Sequence, residues 1–213
     1  MKNNLPSKEE LYRALEERHG ADFQRKMAQS SAAVCGLGGL GSNIAIALAR
    51  AGIGRLHIID FDKVDISNLN RQQYFIDQLG EFKTKALADT LRRIAPYCEI
   101  IPHCIKLTEE NIPKLLKDDD IICEAFDLPE QKAMLVNCVL EKLTDKYLIA
   151  ASGMAGTGSA NLIKTRRISK RFFICGDEEN GTEETGSLVS ARVMICAAHQ
   201  ALTAVRIITE EII

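Results

Sequence analysis

Short apolar runs of about five residues alternate along this chain with longer stretches whose apolar positions recur at helical spacing. Residues 32–35, 55–59, 99–103, 121–123 and 147–151 read as strands. Between them, helices are expected over 40–51, closed by Gly52, over 81–95, stopped by Pro96, and over 129–143. The first thirty residues also read as helical. Ser7-Lys8-Glu9-Glu10 opens like a capping box and Gly20 interrupts the pattern. Strands alternating with helices predict an α/β fold, a Rossmann-like and mostly parallel sheet with right-handed crossovers and helices on both faces. Past Ser152 the pattern changes. Glycines at 153, 156 and 158 precede two expected antiparallel C-terminal strands, near 160–165 and 172–175. An acidic, apolar-poor stretch at 177–186 is expected to be a mobile loop, and 191–212 a closing helix. No repeat or low-complexity linker divides the chain, so one domain over 1–213 is expected.

Composition narrows the class. Of 213 residues, 46% are hydrophobic and 26% charged, enough to build a core and wrong for a disordered chain. Lys plus Arg number 27 against 29 Asp plus Glu, a net charge of −2 that offers no global attraction to nucleic acid or an anionic membrane. The uncharged stretch 27–49 is broken by Gln29, Ser30, Ser31, Ser42, Asn43 and four glycines, so a buried strand, turn and helix explain it better than a membrane span. The seven cysteines and the absence of a secretory signal lead to an expectation of reduced thiols in a cytoplasmic protein.

Gly36-Leu37-Gly38-Gly39-Leu40-Gly41 fits G-x-G-x-x-G between an expected strand and an expected helix. There, glycines permit a tight turn and close main-chain approach to phosphate, and the helix N-terminus favours negative charge. Asp60 follows Gly41 by 19 positions, at the end of the second strand, where a carboxylate can accept from ribose hydroxyls. The pair points to an adenine nucleotide without saying which; an NAD(P)-dependent oxidoreductase is the rival reading. A glycine turn that serves packing alone is the bland one.

The chain continues Asp60-Phe61-Asp62-Lys63-Val64-Asp65-Ile66-Ser67-Asn68-Leu69-Asn70-Arg71-Gln72, with Lys83 opening the next helix and Asp127 following the fourth strand. Ser67 is expected to cap a short turn that carries Asn68 and Arg71, three apart, on one face. An amide, a guanidinium, an ammonium and a carboxylate around a nucleotide suit phosphate chemistry, with Asp127 able to hold magnesium. Hydride transfer needs none of them.

These residues carry a resemblance. GLGGLGS, then DFDKVDISNLNRQQ, a lysine opening a helix that ends IAP, and Asp127 together resemble the ThiF/MoeB/ubiquitin-activating-enzyme family over roughly residues 30–199. The short ThiF-like branch of thiamine biosynthesis is the nearest in pattern. The resemblance implies adenylation by MgATP of the C-terminal glycine of a ubiquitin-fold sulfur carrier, ThiS-like or MoaD-like, with release of pyrophosphate. It implies a nucleotide-binding set of Gly36, Gly38, Gly39, Gly41, Asp60, Asp62, Asn68, Arg71, Gln72 and Lys83. Asn68, Arg71 and Lys83 would grip phosphates, and Asp127 would hold the metal. A homodimer is implied too, in which an N-terminal arginine (Arg18 here, with Arg13 and Arg25 as alternatives) reaches the partner's nucleotide. The chain would divide into a helical arm over 1–30, a nucleotide-binding core over 31–151 and a carrier-docking region over 152–213. A tRNA-modifying relative is the alternative within the same family.

Two departures matter. Many members bind zinc through paired C-x-x-C motifs, and this chain has none, so no structural zinc is expected. Some members use a cysteine for a covalent acyl intermediate. Cys175 is the one position that suits, although an acidic neighbourhood would raise its thiol pKa, and a buried thiol is the competing reading. The small residues of 152–159 suit either an extended Gly-Gly tail threading to the nucleotide or a tight crossover. Lys164, Arg166, Arg167, Lys170 and Arg171 form a basic run that suits an acidic carrier surface or a charge-blunted strand edge.

Overall fold

The Ser7 hydroxyl accepts from the Glu10 N–H while the Glu10 carboxylate accepts from the Ser7 N–H, so the capping box starts α1 (Lys8–His19) as its spacing requires. Gly20, at φ +93°, ends that helix and starts α2 (Ala21–Gln29). This computed structural model describes residues 5–179, 181 and 187–211. The core elements follow in order: β1 (Ser31–Cys35), α3 (Gly39–Arg50), β2 (Arg55–Ile59), α4 (Lys83–Ile94), β3 (Glu99–His103), α5 (Ile112–Leu115), β4 (Ile121–Glu124), α6 (Pro129–Lys142) and β5 (Tyr147–Ala151). β6 (Lys164–Arg167), β7 (Phe172–Gly176) and α7 (Ser190–Ile208) complete the fold.

The seven strands form one sheet in the order β3-β2-β1-β4-β5-β7-β6. All neighbouring pairs are parallel except β6 with β7, which is antiparallel. Alternation along each strand divides the core into two layers, because successive side chains point to opposite faces. Val34, Ile58, Cys123, Ile149 and Phe173 join the layer packed by α3, α4 and α7. Cys35, Ile59, Ile122, Leu148 and Phe172 join the layer packed by α5 and α6. The inner strands β1, β4 and β5 are buried at nearly every position, as strands covered on both faces must be, whereas edge strand β6 is polar and exposed throughout.

One expectation changes. The segment 160–165 is not one strand: the Ser159 hydroxyl accepts from the Asn161 N–H and winds Ala160–Leu162 into a short 3-10 turn, so β6 begins only at Lys164. The two C-terminal strands β6 and β7 are antiparallel to one another, as expected, and β7 joins the sheet parallel to β5. The four-residue α5 gave no readable period, being a single turn held by Ile112 and Leu116 in the core. Among the described residues, α7 is the one helix long and apolar enough to cross a membrane, by length and composition. Its Val193, Cys196, Ala197, Ala201 and Ala204 are buried in the core against the sheet and α3.

Candidate functional site

β2 and β3 extend the sheet to one side of β1, and β4 and β5 to the other, so the chain changes direction between β1 and β4. Cys35, Ile59 and Glu124 stand level at the carboxyl ends of their strands, the edge at which open α/β sheets bind ligands. The glycines that follow β1 have separate tasks. Gly36 turns at φ +90°, and a Cβ on it would lie 2.8 Å from the Ala125 carbonyl oxygen. A Cβ on Gly41 would lie 1.8 Å from the Gly36 carbonyl oxygen, so its absence is what lets α3 close onto the strand end. At Gly39 a Cβ would press on Val193 and on the Arg71 stem, at 3.0 and 3.2 Å. Gly38 is different: its nearest neighbour would be the Gln72 amide nitrogen at 3.8 Å. Gly38 caps α3 with no side-chain hydrogen bond, leaving the first N–H groups of the helix and its positive dipole end for an anion.

Asp60 is tied to this turn. One of its oxygens accepts from the Leu37 N–H and the other from the Asp62 N–H, both at 2.7 Å, and the residue is 8% exposed. Its first task is therefore to brace the glycine loop against β2, which the spacing alone did not reveal. Tyr74 adds a second brace, donating to the Leu37 carbonyl at 2.8 Å. Burial, with the Asp60 charge beside it, pushes the Tyr74 phenol well above its ordinary pKa, so it stays a donor. Lys83, the first residue of α4, is buried. Its Nζ lies 3.1 Å from an Asp62 oxygen and 3.9 Å from Asp60. The chain reaches it by folding back: Lys83 N–H donates to Asp62 O, and Lys63 bridges Phe82 antiparallel.

The polar block between Asp65 and Gln73 is sewn onto the first turns of α3. The expected cap at Ser67 is corrected: Asp65 caps the 3-10 turn Ile66–Asn68, accepting from the Ser67 N–H and hydroxyl at 2.8 and 2.5 Å. Those two bonds hold the Asp65 carboxyl below its usual pKa. Asn68 accepts from the Gln72 amide at 2.7 Å, while the buried Gln72 Oε1 has no partner among the described residues. Asn43 donates to the carbonyls of Gly39 and Arg71, and Gln73 bonds Ser42 and Asn43. The Arg71 stem consequently lies along Gly39, with its guanidinium donating to Asn70 at 2.9 Å.

On the other side of the switch point, Glu124 was missed by sequence reasoning. It is 0% exposed, accepts from the Phe126 N–H at 2.7 Å and Lys132 Nζ at 2.9 Å, and receives the Ala151 N–H at 3.3 Å. A carboxylate ending an apolar strand was the available signal. It fixes the 125–127 turn that carries the exposed Asp127 to the same edge. Among the described residues no group of three or more His, Cys, Asp or Glu is arranged to hold a metal. Magnesium bound with a nucleotide takes one or two carboxylates together with phosphate oxygens, so Asp127 fits that mode and an all-protein cage does not.

Other expected residues lie elsewhere. Arg18 is exposed on α1; its neighbour His19 bonds Gln24, which in turn bonds Gly52 just past the end of α3. The helix is 12 residues, about 18 Å, long, so Arg18 is remote from the glycine loop of its own chain. Arg13 is exposed on the same helix, and Arg25 pairs with Asp22 at 2.5 Å. Cys175 is 0% exposed on β7, and burial raises its thiol pKa, so it packs in the core. The expected mobile loop is corrected at its start: the Asp177 side chain is buried and ion-paired with Arg192. Residues 180 and 182–186 of that loop lie outside the described residues. The basic run occupies edge strand β6 and its turn, where Arg166 pairs with Glu178 and Arg171 stacks on Tyr147.

The chain's kinship can be set beside this geometry. A ThiF family model matches residues 11–212. The chain belongs to the ThiF family. The adenylyltransferase and sulfurtransferase MOCS3 of Xenopus laevis is 36% identical over 141 residues, which cover 65% of this chain and 31% of that protein. The chain thus spans about a third of that relative. Among solved structures, E. coli tRNA N6-threonylcarbamoyladenosine dehydratase, TcdA, in complex with ATP shares the fold at TM-score 0.84 and 21% identity, covering 94% of both chains. E. coli MccB with ATP does so at TM-score 0.68 and 18% identity, over 89% of this chain and 58% of that one.

Proposed function

We propose that this ThiF-family chain adenylates the C-terminal glycine carboxylate of a ubiquitin-fold sulfur carrier, consuming ATP and releasing pyrophosphate. The observation that supports the reading is the open N-terminus of α3 at the carboxyl edge of the sheet, with Arg71 against Gly39, Gln72 (bonded to Asn68) next to Gly38, Lys83 beside Asp60 and Asp127 just past β4 on that edge. The attacking carboxylate is already ionised, so no general base is needed. The barrier lies in bringing two anions together, and preorganised cations lower it.

In this reading the α3 N–H groups receive phosphate, and Asp60 uses its remaining lone pairs on ribose, with Asp62 beside it. Arg71 and Lys83 neutralise charge as the α-phosphorus is attacked, and Asn68 and Gln72 orient it. Magnesium at Asp127, when bound, would shield the phosphates and help pyrophosphate leave. Lys83 would exchange its Asp62 contact for a phosphate oxygen. We further propose a ThiS-like carrier of thiamine thiazole formation, and a homodimer in which Arg18 of the partner subunit reaches the nucleotide.

The test is ATP–pyrophosphate exchange with carriers ending in Gly-Gly. A ThiS-like carrier should drive exchange, and Arg71→Ala, Lys83→Ala and Asp127→Ala should each lower it at least about a hundredfold. Exchange with a MoaD-like carrier alone would reassign the substrate. The 94% mutual coverage with TcdA favours one second reading, an RNA-modifying relative, and adding tRNA to the same assay separates it. No exchange with any of these would overturn the adenylation reading.

A further inference from the structure

Arg192 occupies the first turn of α7 in an otherwise apolar stretch, yet it is 3% exposed. Its guanidinium donates to the carbonyls of Gly158 and Ser159, the latter at 2.9 Å, and pairs with Asp177, whose side chain is also buried. This pair explains two glycines of the 152–159 loop. A Cβ on Gly153 would fall 2.1 Å from an Asp177 oxygen, and one on Gly158 would fall 3.2 Å from the Arg192 guanidinium. The main chain follows the same plan. Asp177 N–H donates to Gly153 O and Glu178 N–H to Ser152 O, both at 3.0 Å, and Gly156 N–H donates to Ser187 O at 2.9 Å.

The clamped loop is continuous with the nucleotide site. At its start, the Ala151 N–H is held by Glu124, whose other oxygen sets the turn before Asp127. Beyond Ser187, the Leu188 carbonyl accepts from the Asn70 side chain, and Val193, next to Arg192, abuts Gly39 and so the Arg71 stem. Within the loop, the N–H groups of Met154, Thr157 and Gly158 have no acceptor among the described residues. A buried ion pair is a weak source of stability, since desolvating two charges offsets most of their attraction; what it does secure is geometry.

We propose that Arg192, through Asp177, is a positioning residue for the acceptor. The pair fixes the glycine-turned path of 152–159, so that its N–H groups at Met154, Thr157 and Gly158 receive a flexible peptide tail and guide its terminal carboxylate toward the phosphate loop. Main-chain donors recognise such a tail whatever its side chains, which suits a tail built of glycine. Arg192 touches neither nucleotide nor reacting atoms, so its effect falls on acceptor binding. This rests on the adenylation reading above.

The experiment is carrier-dependent ATP–pyrophosphate exchange by the full chain and its R192Q, R192K and D177N variants, with ATP affinity measured separately without carrier. R192Q should raise the KM for carrier about tenfold or more while kcat and ATP affinity stay within about threefold. R192K, which keeps the charge, should recover much of the loss, and D177N should move KM in the same direction as R192Q, so a poorly folding R192Q leaves a second variant. An unchanged carrier KM, or a parallel loss of kcat and ATP affinity, overturns the positioning role. A wild-type chain inactive with every carrier overturns the adenylation reading and this role with it.

Discussion

Leu37 and Asp60 are joined at the floor of the site by a 2.7 Å hydrogen bond from the Leu37 main-chain N–H to the Asp60 carboxylate. The second Asp60 oxygen is engaged by Asp62, so both oxygens work as acceptors from main-chain donors. Asp60→Asn would present an amide NH2 to one of those donors. Stability should fall by about 1–3 kcal/mol and nucleotide affinity with it. Denaturant midpoints and calorimetric ATP titration check both effects. Undiminished stability would show that the brace is dispensable.

The glycines of the loop should separate into two kinds. Gly41→Ala forces a methyl to within 1.8 Å of a carbonyl oxygen and should cost about 3 kcal/mol, the upper end of over-packing penalties. Gly38→Ala meets nothing nearer than 3.8 Å, so folding should be spared while ATP affinity drops as the methyl enters the ligand's space. Thermal melts with and without ATP read this out. An ATP affinity equal to wild type in Gly38→Ala would place the phosphates elsewhere.

Thiol reactivity should follow burial. Cys104 is exposed, whereas burial pushes Cys98 and Cys123 up to about 12 and raises Cys35, Cys138, Cys175 and Cys196 as well. Iodoacetamide at pH 8, followed by peptide mass spectrometry, should label Cys104 first and Cys175 among the last. Correspondingly, Cys175→Ser should retain exchange activity. Exchange reports adenylation alone, so a covalent role has its own test: a hydroxylamine-sensitive carrier adduct on Cys175 after incubation with MgATP would restore it.

A pH effect should arise from β3. The His103 ring meets His57 at 3.1 Å, and His57 meets Asp119 at 3.0 Å. Burial, then the neighbouring His57, lowers the His103 pKa, so the folded chain binds its proton less readily than the unfolded chain. The resulting stability is present above the unfolded histidine value of about 6.5 and is lost as pH falls through it toward the lowered folded value. Unfolding curves between pH 7 and 5 should therefore flatten in His103→Asn. An identical slope in the variant would assign the dependence to other groups.

Much of this was legible in the chain. The five parallel strands and their helices follow from apolar runs and periodicity, because a strand buried on both faces must be apolar and an amphipathic helix must repeat its face. Departures occur where short polar contacts override pattern, as at Asp65 in place of Ser67, or at Ser159, which turns 160–162 away from a strand. Glu124 and Arg192 left little trace because each is a single charged residue in an apolar run, and the charged or main-chain partners that fix it include residues 8 or more positions away.

What the sequence determined by itself is the set of chemical groups: a glycine turn opening a helix, then Asp60, Asn68, Arg71, Lys83 and Asp127, each local to one strand end or helix start. Periodicity and turn chemistry act over a few residues, so they can be read in line. Tertiary structure alone decided which groups are held and by what. It assigned Asp60 to the loop, Glu124 to Asp127's turn, Cys175 to the core, and Arg192 with Asp177 to the 152–159 loop. Those assignments depend on burial and on contacts between distant segments, and burial is what makes a charge or thiol seek its partner.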